Sequence, residues 1–303
     1  MNGSLFPADA FCMERHRPHI GLLSALLLLL VLPAAAGAAE IVDRNVTAPE
    51  LQVDSRNVAL VTYSVKGVKR NVLYWGAVNW AEKFNRDYSG GWKSKIADYK
   101  RFSNNCKPYT GPRLPLMIAG CDAKDGSHWA LQQWQRLWDN YGGRTAANEL
   151  YISHWKGDAA ELAIQTDHSY HGKHQHLWGR FTFHGKPVFG TKWTIKGVPL
   201  DRKGRNIYVD YLSKQTWRRV NSFLTHPPTA GFCYTFANHP ASTSGWNGQG
   251  TGDAYRATAI GPGVTPLVQV HFAPPGPYSE EIDAAANAAQ NELLADDARC
   301  RID

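Results

Sequence analysis

The residues with the clearest chemical potential lie in one stretch, HSYHGKHQHLWGRFTFHG, residues 168–185, which holds five of the twelve histidines of the chain. His174 and His176 are two residues apart, so on an extended strand they point the same way, about 7 Å from each other. Two imidazoles in this H-x-H arrangement can bind one zinc, copper or iron ion. Neighbouring residues can supply further ligands. The candidate metal ligands are Asp167, His168, His171, His174 and His176.

Arg180 opposes a metal site on this strand, because it lies four residues after His176 and brings a second cation close to the ion. The chain contains no HExxH motif and no Cys/His spacing typical of a zinc finger. We therefore expect no cofactor, and a divalent transition metal is the alternative.

The same strand face suits the stacking of a ligand. Alternation places Trp178 and Arg180 on the side of the two histidines, whereas Leu177 and Phe181 face the core. We expect the histidine side to be exposed or to line a cleft. A tryptophan ring flanked by polar groups can stack on a sugar. The candidate ligand-binding residues are His176, Trp178, Arg180, Trp193, Trp217 and Trp246, and core packing is the alternative for the tryptophans.

Recognisable motifs of hydrolases are missing. Glycosidases need two opposed carboxylates. Glu161 and Asp167 share strand parity, but they are separated by close to ~20 Å of extended chain. Neither a G-x-S-x-G elbow nor an S-x-x-K motif occurs. The sequence favours a non-catalytic binding module, with a metal-dependent hydrolase or oxidase built on His174 and His176 as the alternative.

Short alternating segments, separated by Gly, Pro and Asn, must position these residues. About eleven of them lie in residues 57–273, which predicts a mainly β fold, an antiparallel β-sandwich or barrel-like core. The sequence KGVKR, residues 66–70, predicts a hairpin turn.

Two helices are expected beside the strands. Residues 125–143, DGSHWALQQWQRLWDNYGG, place apolar residues at three- and four-residue steps, which predicts a short amphipathic helix that begins after Ser127. A Pro-linked tail, residues 274–303, predicts a second helix with Ser279 as its N-cap.

The N-terminal residues 1–38 have the pattern of a secretory signal peptide. A basic RHR segment precedes the apolar run IGLLSALLLLLVL, and an A-x-A site follows at residues 36–38. The apolar run of thirteen residues is shorter than the roughly 20 that a membrane span needs. We expect a secreted or extracytoplasmic protein of the periplasm or cell wall, with an N-terminal extension over residues 39–56.

Cysteine usage agrees with export. Removal of the signal peptide takes away Cys12 and leaves four cysteines, an even number that favours two disulfide bonds. Three connectivities exist, and we expect Cys106–Cys121, which closes a short loop, and Cys233–Cys300, which tethers the tail.

The net charge of +7 is unevenly distributed along the chain. Residues 66–113 hold eleven lysines and arginines against three acids. Such a segment can dock on an anionic surface, and a solvated basic face is the alternative. We expect as partner a glycan or an anionic polymer of the cell surface. We expect no nucleic acid, and no stable membrane span once the signal peptide is removed.

Overall fold

A computed structural model describes residues 40–75, 92–93, 102–137, 145–169, 171–190, 205–237, 254–261, 265–295 and 297–300. The predicted signal peptide lies outside the described residues, as do Trp193 and Trp246.

Antiparallel strands make up most of the described chain, which confirms the mainly β fold. The strands are β1 (Glu40–Arg44), β2 (Thr47–Val53), β3 (Ala59–Val65), β4 (Val68–Tyr74), β5 (Trp92–Lys93), β6 (Lys107–Pro108), β7 (Met117–Asp122), β8 (Ser127–Leu137), β9 (Thr145–Lys156), β10 (Glu161–Ser169), β11 (His174–Phe183), β12 (Lys186–Pro187), β13 (Ile207–Ser213), β14 (Thr216–Phe223), β15 (Gly231–Ala237), β16 (Ala254–Ala259) and β17 (Val268–Phe272). β1 and β2 occupy the stretch that we expected to be an N-terminal extension.

The strands of the described residues form four sheets. Sheet I has the order β1-β9-β8-β7-β6, and sheet II has the order β2-β3-β4-β5. Sheet III has the order β10-β11-β12, with β15 also paired to β11, and sheet IV has the order β14-β13-β16-β17. Sheets I and II enclose one hydrophobic cluster, and sheets III and IV enclose another. The predicted β-sandwich is therefore present twice.

The two sandwiches meet where sheet I contacts sheet IV. Trp134 of β8 and Tyr208 of β13 belong to one buried cluster, and their ring centroids are 5.1 Å apart. The fully buried Gln132 of β8 donates from Nε2 to the carbonyl oxygens of Pro115 and Leu267, and its Oε1 accepts from the Leu267 amide. Sheet I is thus covered on both faces.

This double cover explains why the helix predicted in residues 125–143 is wrong: Ser127–Leu137 forms strand β8. Trp129 and Leu131 face sheet II, whereas Trp134 faces sheet IV. A strand buried on both sides loses the alternation of apolar and polar residues, and its apolar run then resembles the stripe of a helix.

The hairpin predicted at residues 66–70 is confirmed. Val65 pairs with Val68, which leaves a two-residue turn, Lys66–Gly67. Both turn residues have positive φ, 51° and 76°, as a type I′ turn requires, and glycine adopts such angles without steric cost.

The C-terminal helix is also confirmed, as α1 (Glu280–Leu294). Ser279 occupies the N-cap position, although its side chain makes no capping hydrogen bond. A short 3-10 helix, Ala298–Cys300, follows. Both predicted disulfide bonds, Cys106–Cys121 and Cys233–Cys300, are present, and the second joins β15 to this 3-10 helix.

Candidate functional site

The centre of the histidine-bearing face of β11 is buried, so our expectation of an exposed or cleft-lining face is wrong for His176 and Trp178, whereas His174 and Arg180 at its ends are half-buried. The exposed fraction is 3% for His176 and 0% for Trp178. The C-terminal tail covers this side of the sheet: Leu294 of α1 and Cys300 pack with Trp178 in one cluster. The tail has an apolar surface of its own to bury, and the Cys233–Cys300 bond holds it in place. Trp178 is therefore no platform for a sugar ring.

Asp167 organises the polar atoms under the tail. It lies directly opposite His176 in the pairing of β10 with β11. Its Oδ1 is 2.8 Å from His176 Nδ1, and its Oδ2 accepts from the Trp178 indole N–H at 3.0 Å. Both carboxylate oxygens thus have partners in the core. Arg180 turns elsewhere and donates from Nε to the Thr229 carbonyl oxygen at 2.8 Å.

The other candidate metal ligands are not gathered around one point. His168 Nε2 lies 2.9 Å from the Gly276 carbonyl oxygen, which faces it toward the linker before α1. His171 sits in the turn before β11 with φ 53°. Among the described residues, the predicted set of Asp167, His168, His171, His174 and His176 provides no three ligand atoms within reach of one ion.

Of the predicted binding tryptophans that the structure describes, Trp217 keeps an accessible ring and Trp178 does not. Trp129, Trp134, Trp155 and Trp178 are at most 2% exposed, so core packing accounts for them. Among tryptophans whose side chains the structure describes, this leaves Trp75, which is 54% exposed, and Trp217, which is half-buried.

Trp217 ends a row of rings and charges on the face of sheet IV that points away from sheet III. The Arg256 guanidinium carbon lies 4.3 Å from the Trp217 ring centroid, within cation–π range. Deeper in the row, the Arg219 guanidinium carbon lies 4.8 Å from the Tyr208 ring. We call this row, together with Trp134 of sheet I, which packs against Tyr208, the arginine ladder; its members are Trp134, Tyr208, Arg219, Asp210, Arg256 and Trp217.

Asp210 holds the two arginines of the ladder together. It is fully buried and lies opposite Arg219 of β14 on one side and opposite Arg256 of β16 on the other. Its Oδ1 accepts from Arg219 Nε, and its Oδ2 accepts from Arg256 Nε at 3.1 Å. Burial lowers the pKa of Arg256, and the Asp210 carboxylate opposes that shift.

Sheet I continues the polar network beyond Trp134. Glu149, which is 1% exposed, accepts hydrogen bonds from Arg44 Nε at 2.9 Å, from Arg136 Nη2 at 3.0 Å and from the Tyr151 hydroxyl. Burial disfavours the charged form of Arg136, but the Glu149 carboxylate outweighs it and raises the Arg136 pKa.

The network has more positive charge than its carboxylates neutralise. Four guanidiniums, those of Arg44, Arg136, Arg219 and Arg256, face the two carboxylates of Glu149 and Asp210. Three buried nitrogens in this part of the described chain also lack an acceptor: Trp134 Nε1, Arg136 Nε and Arg219 Nη2. A region with surplus cations and unpaired donors is suited to an anionic ligand.

A further polar cluster is formed by Asp125, Ser127 and His154, in which the Ser127 hydroxyl contacts the His154 ring. Their Oγ and Nε2 atoms are 3.0 Å apart, but Ser127 Oγ also lies 2.6 Å from Asp125 Oδ1. The Trp129 ring stacks on His154 with centroids 4.1 Å apart. The carboxylate contacts the serine rather than the histidine, so this is not the order of a Ser-His-Asp nucleophile.

The pKa of His154 makes stability depend on pH. Burial lowers this pKa from 6.5 to about 4, and Asp125 opposes the shift only in part. Between these two values the unfolded chain binds a proton that the folded protein does not, so stability falls as the pH falls. From pH 7.5 to 4.5 the His154 contribution should decrease by about 2–3 kcal/mol. Urea unfolding of wild type and His154→Gln at both pH values measures it. Equal losses in the two proteins would contradict the assignment.

The sequence did not reveal Asp210, Arg219 or Arg256 as site residues. Strand parity holds a partial signal, because Arg219 is two residues from Trp217 and shares its face. The partnership with Asp210 depends on a register shift between Val209 and Asp210, which no local pattern indicates.

Comparison of the chain with protein-family models, with curated proteins and with solved structures finds no match in any of the three. In the described parts of the chain, no helix combines the length and apolar character needed to cross a membrane.

Proposed function

We propose that this chain is an exported, non-catalytic binding protein that holds an anionic glycan or another anionic cell-surface polymer at the Trp217 end of the arginine ladder. The observation that carries the proposal is the stack of Arg256 on the half-buried Trp217 ring, at the open end of a network with surplus positive charge. The two disulfide bonds support export, because such bonds persist in oxidising compartments.

The residues around Trp217 supply the complementary contacts. The exposed His271 lies edge-on to Trp217, with ring centroids 5.9 Å apart. Gln269 stands beside it, with Oε1 3.3 Å from His271 Nε2, and it donates from Nε2 to Thr258 Oγ1 at 2.9 Å. An aromatic ring, an imidazole and an amide on one sheet face provide stacking and hydrogen bonds for a sugar.

Arg256 gives this face its preference for acidic ligands. Its planar guanidinium can pair with a carboxylate or sulfate through two parallel hydrogen bonds. Asp210 already orients the group, so little side-chain entropy is lost when a ligand binds. The arrangement binds and positions a polymer, and no step of bond making or breaking is required of it.

Replacement of Trp217 by alanine should lower the affinity for acidic polysaccharides about 5- to 30-fold, because stacking on one aromatic ring contributes on the order of 1–2 kcal/mol. Affinity electrophoresis or a pull-down with acidic and neutral polysaccharides at low and high salt measures the effect. Trp75→Ala is the matched control, since that ring is the other accessible one among the tryptophan side chains that the structure describes.

Arg256→Lys adds a second control, because it keeps the charge and removes the planar fork. It should weaken binding of acidic polymers selectively. The proposal fails if no acidic polymer is retained at low salt, or if Trp75→Ala and Trp217→Ala weaken binding equally.

A further inference from the structure

A second set of ligating side chains lies under the C-terminal tail, around the Cys233–Cys300 bond. His226 Nε2 is 3.9 Å from Cys300 Sγ. One ligand atom from each of His226, Cys233 and Cys300 lies within 4.8 Å of the others. His226 and Cys300 are buried and Cys233 is half-buried, so the three atoms meet in a largely water-free place. None of these residues belongs to the arginine ladder.

Asp297 fixes the orientation of the His226 ring. Its Oδ2 makes an ion-pair contact with His226 Nδ1, which leaves Nε2 directed to the sulfur. Arg299 in turn holds Asp297: its backbone N–H and its Nε donate to Asp297 Oδ1 at 3.1 and 2.9 Å. A carboxylate on the far nitrogen of a ligating histidine is the arrangement that orients histidines at zinc sites.

The backbone around these ligands is well supported. The His226 amide donates to the Gly231 carbonyl oxygen at 3.1 Å, which ties the residue to the start of β15. Arg299 Nη2 donates to the Pro227 carbonyl oxygen at 2.8 Å, which ties the 3-10 helix to the same turn. The ligands thus come from short, cross-linked elements that can keep their positions when the disulfide bond is opened.

We propose that reduction of the Cys233–Cys300 disulfide creates a Zn²⁺ site formed by His226, Cys233 and Cys300, with Asp297 as the positioning residue for His226. The reductant is a dithiol, which gives two electrons and two protons to the disulfide and is itself oxidised to a disulfide. Zn²⁺ then displaces the two thiol protons, and His226 Nε2 contributes its lone pair. Three protein ligands leave a fourth tetrahedral position for water.

The distances agree with this geometry. Zinc–sulfur and zinc–nitrogen bonds of about 2.3 and 2.0 Å place tetrahedral ligand atoms roughly 3.6 Å apart. The contact between Cys300 Sγ and His226 Nε2 is already close to that value, at 3.9 Å. The two sulfurs have to separate while Cys233 Sγ, which lies within 4.8 Å of the ligating His226 nitrogen, stays within reach of the ion, and rotation of the cysteine side chains can supply both changes. In the described residues, the Cys106–Cys121 pair has no third ligating group within the same reach.

Binding of Co²⁺, a spectroscopic substitute for Zn²⁺, tests the proposal on the full-length protein, with and without a dithiol. The reduced protein should bind one equivalent with a sulfur-to-cobalt charge-transfer band and the visible bands of tetrahedral Co²⁺, and Zn²⁺ should displace it. His226→Ala should abolish the tetrahedral spectrum. Asp297→Asn keeps all three ligands and should bind about 10- to 100-fold more weakly. Cys106→Ser/Cys121→Ser is the matched control and should bind normally.

Reduction could also unfold the C-terminal tail, and circular dichroism detects this. In that case the proposal requires that Zn²⁺ restores the native circular dichroism spectrum. The proposal is overturned if the reduced protein binds no Co²⁺, or if the oxidised protein binds it equally well. Binding that is unchanged in His226→Ala, or that is equally tight in concentrated urea, also overturns it. Failure here leaves polymer binding at Trp217 unaffected, since the two sites share no residue.

Discussion

Asp210→Ala is expected to lower the free energy of unfolding by about 3–5 kcal/mol, because it leaves a buried guanidinium without its counter-ion. Arg219 is 1% exposed, and its Nε donates to Asp210. Arg256 Nε loses the same acceptor. A loss of this size is a large part of the stability of an ordinary domain, about 5–15 kcal/mol. Urea unfolding followed by tryptophan fluorescence at pH 7 measures it.

Two further variants separate the charge effect from general damage. Asp158→Ala removes an exposed aspartate from the turn before β10 and should change stability by less than about 0.5 kcal/mol. Asp210→Ala combined with Arg219→Met removes both charges and should recover at least half of the loss, since an apolar replacement of a buried pair is often neutral. A loss below about 1 kcal/mol for Asp210→Ala alone would contradict the structure of the ladder.

Asp167→Ala should be the second large effect, a loss of about 2–5 kcal/mol, because two buried donors lose their acceptor at once. These donors are His176 Nδ1 and the Trp178 indole N–H. Thermal and urea unfolding give the loss, and the change in the emission of the buried indole reports the lost contact.

The chain contains its own matched control for this variant. Asp122 and His128 face each other across β7 and β8, as Asp167 and His176 do across β10 and β11, and both pairs have a separation of 2.8 Å. The Asp122 and His128 side chains are 20% and 22% exposed, and Asp122 Oδ2 also accepts from the exposed Thr110 amide and hydroxyl at 3.0 and 2.7 Å. Because water can replace these partners, Asp122→Ala should cost only about 1 kcal/mol. Equal losses in the two variants would mean that burial does not govern these pairs.

Local sequence patterns were sufficient to predict much of the fold. The prediction that His174 and His176 lie on one strand is confirmed by β11, because one of its faces packs into a sandwich and gives a clear alternation. The alternation could not indicate that the other face is covered too, since that depends on a helix about a hundred residues later in the chain. The cysteine pairs could be predicted because only three connectivities exist for four cysteines.

The candidate site could be predicted from the sequence only in part. Trp217 could be selected as an aromatic residue on a strand, but Arg256 is brought beside it by β13 and β16, which are neighbours in the sheet and not in sequence. Trp178 was a candidate on the same grounds as Trp217. The two residues differ because the C-terminal tail covers Trp178 and leaves Trp217 accessible. This is a long-range contact, which the spacing of apolar residues and the composition do not indicate.

Gln132 gives the architecture a further consequence. Two of its three hydrogen bonds join Leu267, in the segment that leads into β17 of sheet IV, and the third goes to Pro115 before β7 of sheet I. We expect neither sandwich to fold well as a separate fragment, because the cut would expose Trp134 and Tyr208 and leave the buried Gln132 amide without its Leu267 partners. Each sandwich thus depends on the other for part of its stability.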